Sequence, residues 1–131
     1  MGIIDRAREL FGLNQPRLVE LPGRVVPVVV DTLQVHTARL APDTNEKIII
    51  VTTSARALEE LSRIDDAVQL TSPNERSVTF VPVDRRSEPV LDPKYGWIIP
   101  VTRETAAELQ GLAKGPGEHE LSTLHLGLIL E

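Results

Sequence analysis

Three of the most strand-like segments in this chain carry a proline. Val25-Val26-Pro27-Val28-Val29-Val30 is otherwise all valine, the run over 77–83 contains Pro82, and Trp97-Ile98-Ile99-Pro100-Val101 is interrupted at Pro100. β-Branched and aromatic side chains fit a pleated, half-buried surface. Proline has no N–H for the ladder, so it is confined to sheet edges, strand ends and bulges. A single open sheet offers two edges. Three proline-bearing strands therefore require bulges, a sheet split in two, or a sheet continued across subunits.

The other segments fill in a mixed fold. Residues 32–40 alternate, with Leu33, Val35 and Thr37 on one face and Gln34, His36 and Ala38 on the other. Lys47 to Thr53 is a continuous β-branched run, the pattern of a central strand buried on both faces. Strands over 67–70 and 77–83 are joined by a hairpin-like connection, Thr71 to Arg76. Over 121–130 the residues Leu124, Leu126, Leu128 and Leu130 alternate, which is a strand by period. Ser54 is the expected N-cap of a helix over 55–64 with Leu58, Leu61 and Ile64 inward. Thr102 is the expected N-cap of a second over 103–114, with Ala106, Leu109, Leu112 and Ala113 inward and Gly115-Pro116-Gly117 as its stop. Residues 84–96 form the longest irregular stretch. The sum is one α+β domain over 1–131, with about seven short strands in a mostly antiparallel or mixed sheet and two or three short helices.

Both ends of the chain are apolar in pattern. Over residues 3–11, Ile3, Ile4, Ala7, Leu10 and Phe11 share one helical face, and Gly12 is placed to end the helix. Such a helix is too short to stand alone. Residues 1–13 are thus a candidate N-terminal arm, and 119–131 a candidate docking strand that completes a neighbour's sheet.

Composition narrows the chemistry. The absence of cysteine excludes a disulfide scaffold, a thiolate nucleophile and a cysteine-ligated metal. A formal charge of −5 disfavours broad phosphate binding, since neutralising many phosphates needs a basic face. No apolar run is long enough for a membrane-spanning helix, and charged residues from Asp5 onward arrive too early for a secretory signal. Met-Gly opens the chain, but Arg6 stands where myristoylation needs Ser or Thr. The expectation is a soluble protein without nucleic acid or membrane as partner. Scarce Asn and Gln with ten prolines are compatible with heat tolerance.

Catalytic and metal patterns are thin. His119 and His125 lie six residues apart, about 20 Å on one continuous strand, too far to share an ion. His119-Glu120 opens like a zincin helix but lacks the second histidine at its spacing. Asp65-Asp66 and Glu59-Glu60 read as turn and solvent-face charges. Asp43-Thr44-Asn45-Glu46 lacks the glycine and distal glutamate of a calcium loop. No metal and no cofactor is expected.

Two places merit a functional reading. The stretch Asp84 to Trp97 gathers Arg85, Arg86, Lys94, Tyr95 and Trp97, residue types that dominate protein interfaces. Its alternative is a long loop pinned by Trp97 into its own core. Thr52-Thr53-Ser54, between a strand and a helix start, presents hydroxyls where anions are favoured. The first functional expectation is a non-catalytic structural or assembly subunit acting through protein–protein contacts. It works as a homo-oligomer, in the cytoplasm or within a virion-like particle such as a coat or capsid-decoration layer, with another structural protein as further partner. Its contact residues are Ile3, Ile4, Phe11, Arg85, Arg86, Lys94, Tyr95 and Trp97. The alternative is a small ligand-binding or regulatory domain, with Thr52, Thr53 and Ser54 as the anion site and the Arg85–Trp97 loop as its lid.

Overall fold

The computed structural model describes residues 24–39, 42–43, 47–93 and 96–131. The strands divide into two sheets, and all three proline-bearing strands fall in the first of them. Sheet A is formed by β1 (Val25–Val29), β4 (Ala67–Thr71), β5 (Val78–Pro82), β7 (Gly96–Val101) and β6 (Val90–Asp92), in that spatial order. Sheet B is formed by β2 (Leu33–Arg39), β3 (Lys47–Thr53), β9 (Leu126–Leu130) and β8 (Gly117–Leu121), again in spatial order. Each proline falls where its strand lacks a neighbour on one side. Pro27 lies on edge strand β1. The β4–β5 pairing stops at Phe80, short of Pro82, and the β6–β7 pairing stops at Ile98, short of Pro100.

Both sheets are mixed. In sheet A, β1 runs parallel to β4 and β5 parallel to β7, while the β4–β5 and β6–β7 pairs are antiparallel. In sheet B only β3 and β9 are parallel. The class is α+β, as the patterning predicts, with nine strands among the described residues rather than about seven. One extra strand is β6, three residues between Pro89 and Pro93 inside the stretch read as irregular. The other comes from the C-terminal segment, which folds back on itself as the β8–β9 hairpin through a turn at 122–125.

That hairpin corrects two expectations. His119 and His125 are not on one strand, because His119 pairs with Leu128 and His125 lies in the turn. Segment 119–131 is not an unpaired strand either. Strand β9 lies between β3 and β8 with Leu126, Leu128 and Leu130 in this chain's own core. The candidate arm 1–13 lies outside the described residues.

Two helices carry the chain between the sheets. Helix α1 (Ala57–Leu61) leads from β3 to β4, and α2 (Arg103–Gln110) leads from β7 to β8. Thr102 caps α2 as expected, its Oγ1 accepting the Thr105 N–H at 3.2 Å. The helix ends at Gln110, not 114, because the Gly111 N–H already bonds the Ala107 and Glu108 carbonyls and tightens the last turn. Helix α1 is only five residues, within the 55–64 expected. Ser54 does not cap it. Its Oγ accepts instead from the N–H groups of Asp31 and Thr32, at 3.2 and 3.3 Å, and holds the β1–β2 connection.

The main core lies between the sheets. Phe80, Leu70 and Ile99 from sheet A meet Val51, Leu126 and Leu128 from sheet B, and Leu58, Leu61 and Leu109 enter from the helices. Only one face of β3 is buried throughout: Ile49, Val51 and Thr53 point inward, whereas Ile48 and Ile50 are half-buried. The expectation that β3 is buried on both faces holds at Thr52 and fails at Ile48 and Ile50. A smaller apolar cluster of Ala67, Val81 and Ile98 sits on the other face of sheet A.

Candidate functional site

The residues expected to form one binding loop are divided by the fold. Pro82 pairs with Val101 and Val78 with Trp97, so β5 and β7 separate the two ends of the loop. Arg85 and Arg86 follow β5 beyond Val83, whose N–H bonds the Val101 carbonyl. Trp97 stands at the opposite end of β7, about 13 Å away along the strand. Both arginines are exposed. Trp97 is half-buried and packs against the main core, which answers to the loop-pinning alternative. With Gln34, Glu75 and Arg76 it also walls a polar cleft of about 230 Å³. Ile3, Ile4, Phe11, Lys94 and Tyr95 lie outside the described residues.

The Thr52–Ser54 hydroxyls do not converge on a ligand. Thr53 is fully buried in β3, Thr52 is nearly so, and the Ser54 hydroxyl is engaged by the β1–β2 connection. Helix α1 has Arg56 at its N-cap with no side-chain cap. Arg56 reaches back to the Val29 carbonyl at 2.8 Å. Between α1 and α2 lies a cleft of about 250 Å³, with Leu58 and Leu112 among its walls and Arg56 and Lys114 at its sides. No three His, Asp or Glu side chains converge on a metal-sized site among the described residues.

Two features went unseen in the sequence. The first is a cradle around Glu108. Its carboxylate accepts from the Ser122 N–H at 2.6 Å, the Ser122 hydroxyl at 3.0 Å, the Thr123 N–H at 3.0 Å and the Thr123 hydroxyl at 2.6 Å. Thr123 Oγ1 also lies 2.9 Å from Thr105 Oγ1, which joins the Thr102 cap. Burial pushes the Glu108 carboxyl upward, but the hydrogen bonds from Thr123 and Ser122 outweigh it and hold the group below the usual glutamate range. A lowered folded-state pKa stabilises the fold above the ordinary glutamate value, and that contribution is lost as pH falls through the lowered one. Glu108→Ala is expected to cost about 1–2 kcal/mol at neutral pH, since two backbone donors of the turn lose a charged acceptor and water replaces it in part. In urea titrations the gap between variant and parent should close as the pH is taken below the folded-state pKa. A gap unchanged by acid would contradict this role.

The second feature is the corner where β1 passes into β2. These are the edge strands of the two sheets, joined by Val30, Asp31 and Thr32. Val29 is 64% exposed at this corner. The direction of the backbone groups of β2 follows from its neighbour β3. The Ile49 N–H donates to the His125 carbonyl and the Thr53 carbonyl accepts from the Glu131 N–H, so the odd-numbered residues of β3 face β9. The even-numbered ones must face β2, where Thr52, Ile50 and Ile48 oppose Gln34, His36 and Ala38. Leu33, Val35, Thr37 and Arg39 are left with their N–H and C=O groups pointing outward, along an edge where every residue from His36 to Arg39 is exposed.

The chain matches no known protein family and no curated protein. Its function must be read from this geometry.

Proposed function

We infer that this chain is a non-catalytic structural subunit that acts through protein–protein contacts and assembles as a homo-oligomer. The observation that carries this reading is the β1–β2 corner. A row of outward N–H and C=O groups is a template for adding a strand, and natural edges are usually blunted against it. Here β1 is blunted by Pro27, β6 is three residues long, and β8 carries Glu118 and Glu120. Strand β2 has seven residues without proline, pairs with β3 without a bulge, and carries one Lys or Arg, at its very end. Among the described residues no strand pairs with this edge, and beside an exposed valine it is a surface suited to joining another subunit.

Repeated copies in a coat or decoration layer are the kind of assembly such a surface suits. Arg85 and Arg86, exposed at the opposite end of β7 from Trp97, offer a separate surface for another structural protein. Size-exclusion chromatography with light scattering tests the reading. The expected mass is a multiple of the 14.4 kDa chain, and elution as a monomer at all loadings would overturn it.

A further inference from the structure

We propose that the partner of the β2 edge is the β2 edge of a second copy, paired antiparallel about a two-fold axis at His36, so that two four-stranded sheets become one of eight strands. The inference rests on the assembly reading above and specifies its surface. An isologous contact requires the strand to complement itself. Only odd-numbered residues of β2 present N–H and C=O groups outward, so only even-sum registers exchange hydrogen bonds. Among these, the register that opposes Leu33 with the partner's Arg39, and Val35 with the partner's Thr37, uses all seven residues of the strand. It sets two β-branched side chains across from one another, a favourable cross-strand pair. It also brings charges of opposite sign together. Arg39 lies diagonal to the partner's Asp31, within reach of a long side chain, and the symmetry makes this contact twice. Asp31 and Arg39 are both exposed, and neither forms an ion pair with another described residue.

The same register places His36 opposite its own copy as a non-hydrogen-bonded pair, with Cα atoms about 4.5 Å apart. That spacing suits a disulfide, and the chain has no cysteine to confuse the result. Under mild oxidation His36→Cys should convert almost wholly to a covalent dimer, while Thr37→Cys, which faces Val35 of the other copy, should stay largely uncross-linked. Thr37→Pro should abolish self-association with little change in melting temperature, because the Thr37 N–H takes no part in the β2–β3 ladder. Asp31→Arg and Arg39→Asp should each weaken the dimer at least several-fold, and the two together should restore it. If the native chain assembles but His36→Cys and Thr37→Cys cross-link equally, or if Thr37→Pro remains folded and assembled, this surface is wrong while the assembly reading stands. If the native chain is monomeric throughout, both fall.

Discussion

Gly96→Ala is expected to destabilise the fold by about 3 kcal/mol or more, the sum of a strained backbone and a clash that side chains cannot relieve. Gly96 opens β7 with φ +76°, in the left-handed region that L-residues rarely adopt. A Cβ there would stand 2.1 Å from the Ser77 carbonyl oxygen and 3.0 Å from its carbon. That carbonyl accepts the Trp97 N–H at 3.0 Å and so fixes the start of the β5–β7 pairing. Relief of the clash must therefore push β5 and β7 apart in the middle of sheet A. Gly115 is the control. It also has a positive φ, +95°, but nothing lies within 4 Å of its added Cβ. Gly115→Ala should cost only the backbone strain, about 1 kcal/mol. Equal midpoints for the two variants in urea would show that the approach of Ser77 is not tight.

Phe80→Ala should cost about 3–5 kcal/mol, through lost burial and the cavity left behind. Phe80 is 1% exposed and lies on β5 between β4 and β7, facing the core that both sheets share. The aromatic ring has few substitutes here. Among the described residues the fully buried core is otherwise aliphatic, with half-buried Trp97 packed against it. Phe80→Leu, which keeps much of the volume, should cost appreciably less than Phe80→Ala. A small effect of Phe80→Ala on the denaturation midpoint would mean that the two sheets do not share one cohesive core.

How much of this was legible in the sequence depends on where the controlling interactions are local. The strands over Leu33 to Arg39 and Lys47 to Thr53 and the Thr102 cap depend on neighbouring residues, and each element is found where the pattern places it. Burial, however, alternates in β2 only as far as Val35. The prolines mark a local fact, a missing N–H, but the answer to it is none of bulge, split or continuation. All three lie in one sheet, Pro27 on its edge and Pro82 and Pro100 past the ends of the β4–β5 and β6–β7 pairings. The β8–β9 turn was hidden for the opposite reason. Ser122-Thr123-Leu124-His125 has no glycine, proline, asparagine or aspartate, and the leucine alternation runs straight through it. The turn is held from outside by Glu108, fourteen residues earlier than Ser122. No short-range signal marks such a contact.

Ser54 shows a local preference overridden. Its hydroxyl suits a helix N-cap, yet the Asp31 and Thr32 N–H groups from a connection more than twenty residues away engage it. The expected binding loop failed on topology. Clustering Arg85, Arg86 and Trp97 in sequence does not cluster them in space when they sit at opposite ends of the β5–β7 pair. The β2 edge was half legible. Its strand was expected, but its outward N–H and C=O groups follow only from knowing that β3 and β9 are neighbours.

Sedimentation of the native chain across a wide concentration range tests the central claim most directly. A subunit with an open, self-complementary edge should sediment as a species of at least twice the 14.4 kDa chain mass, shifting toward that mass as concentration rises. A single species at 14.4 kDa from the lowest to the highest concentration would contradict it.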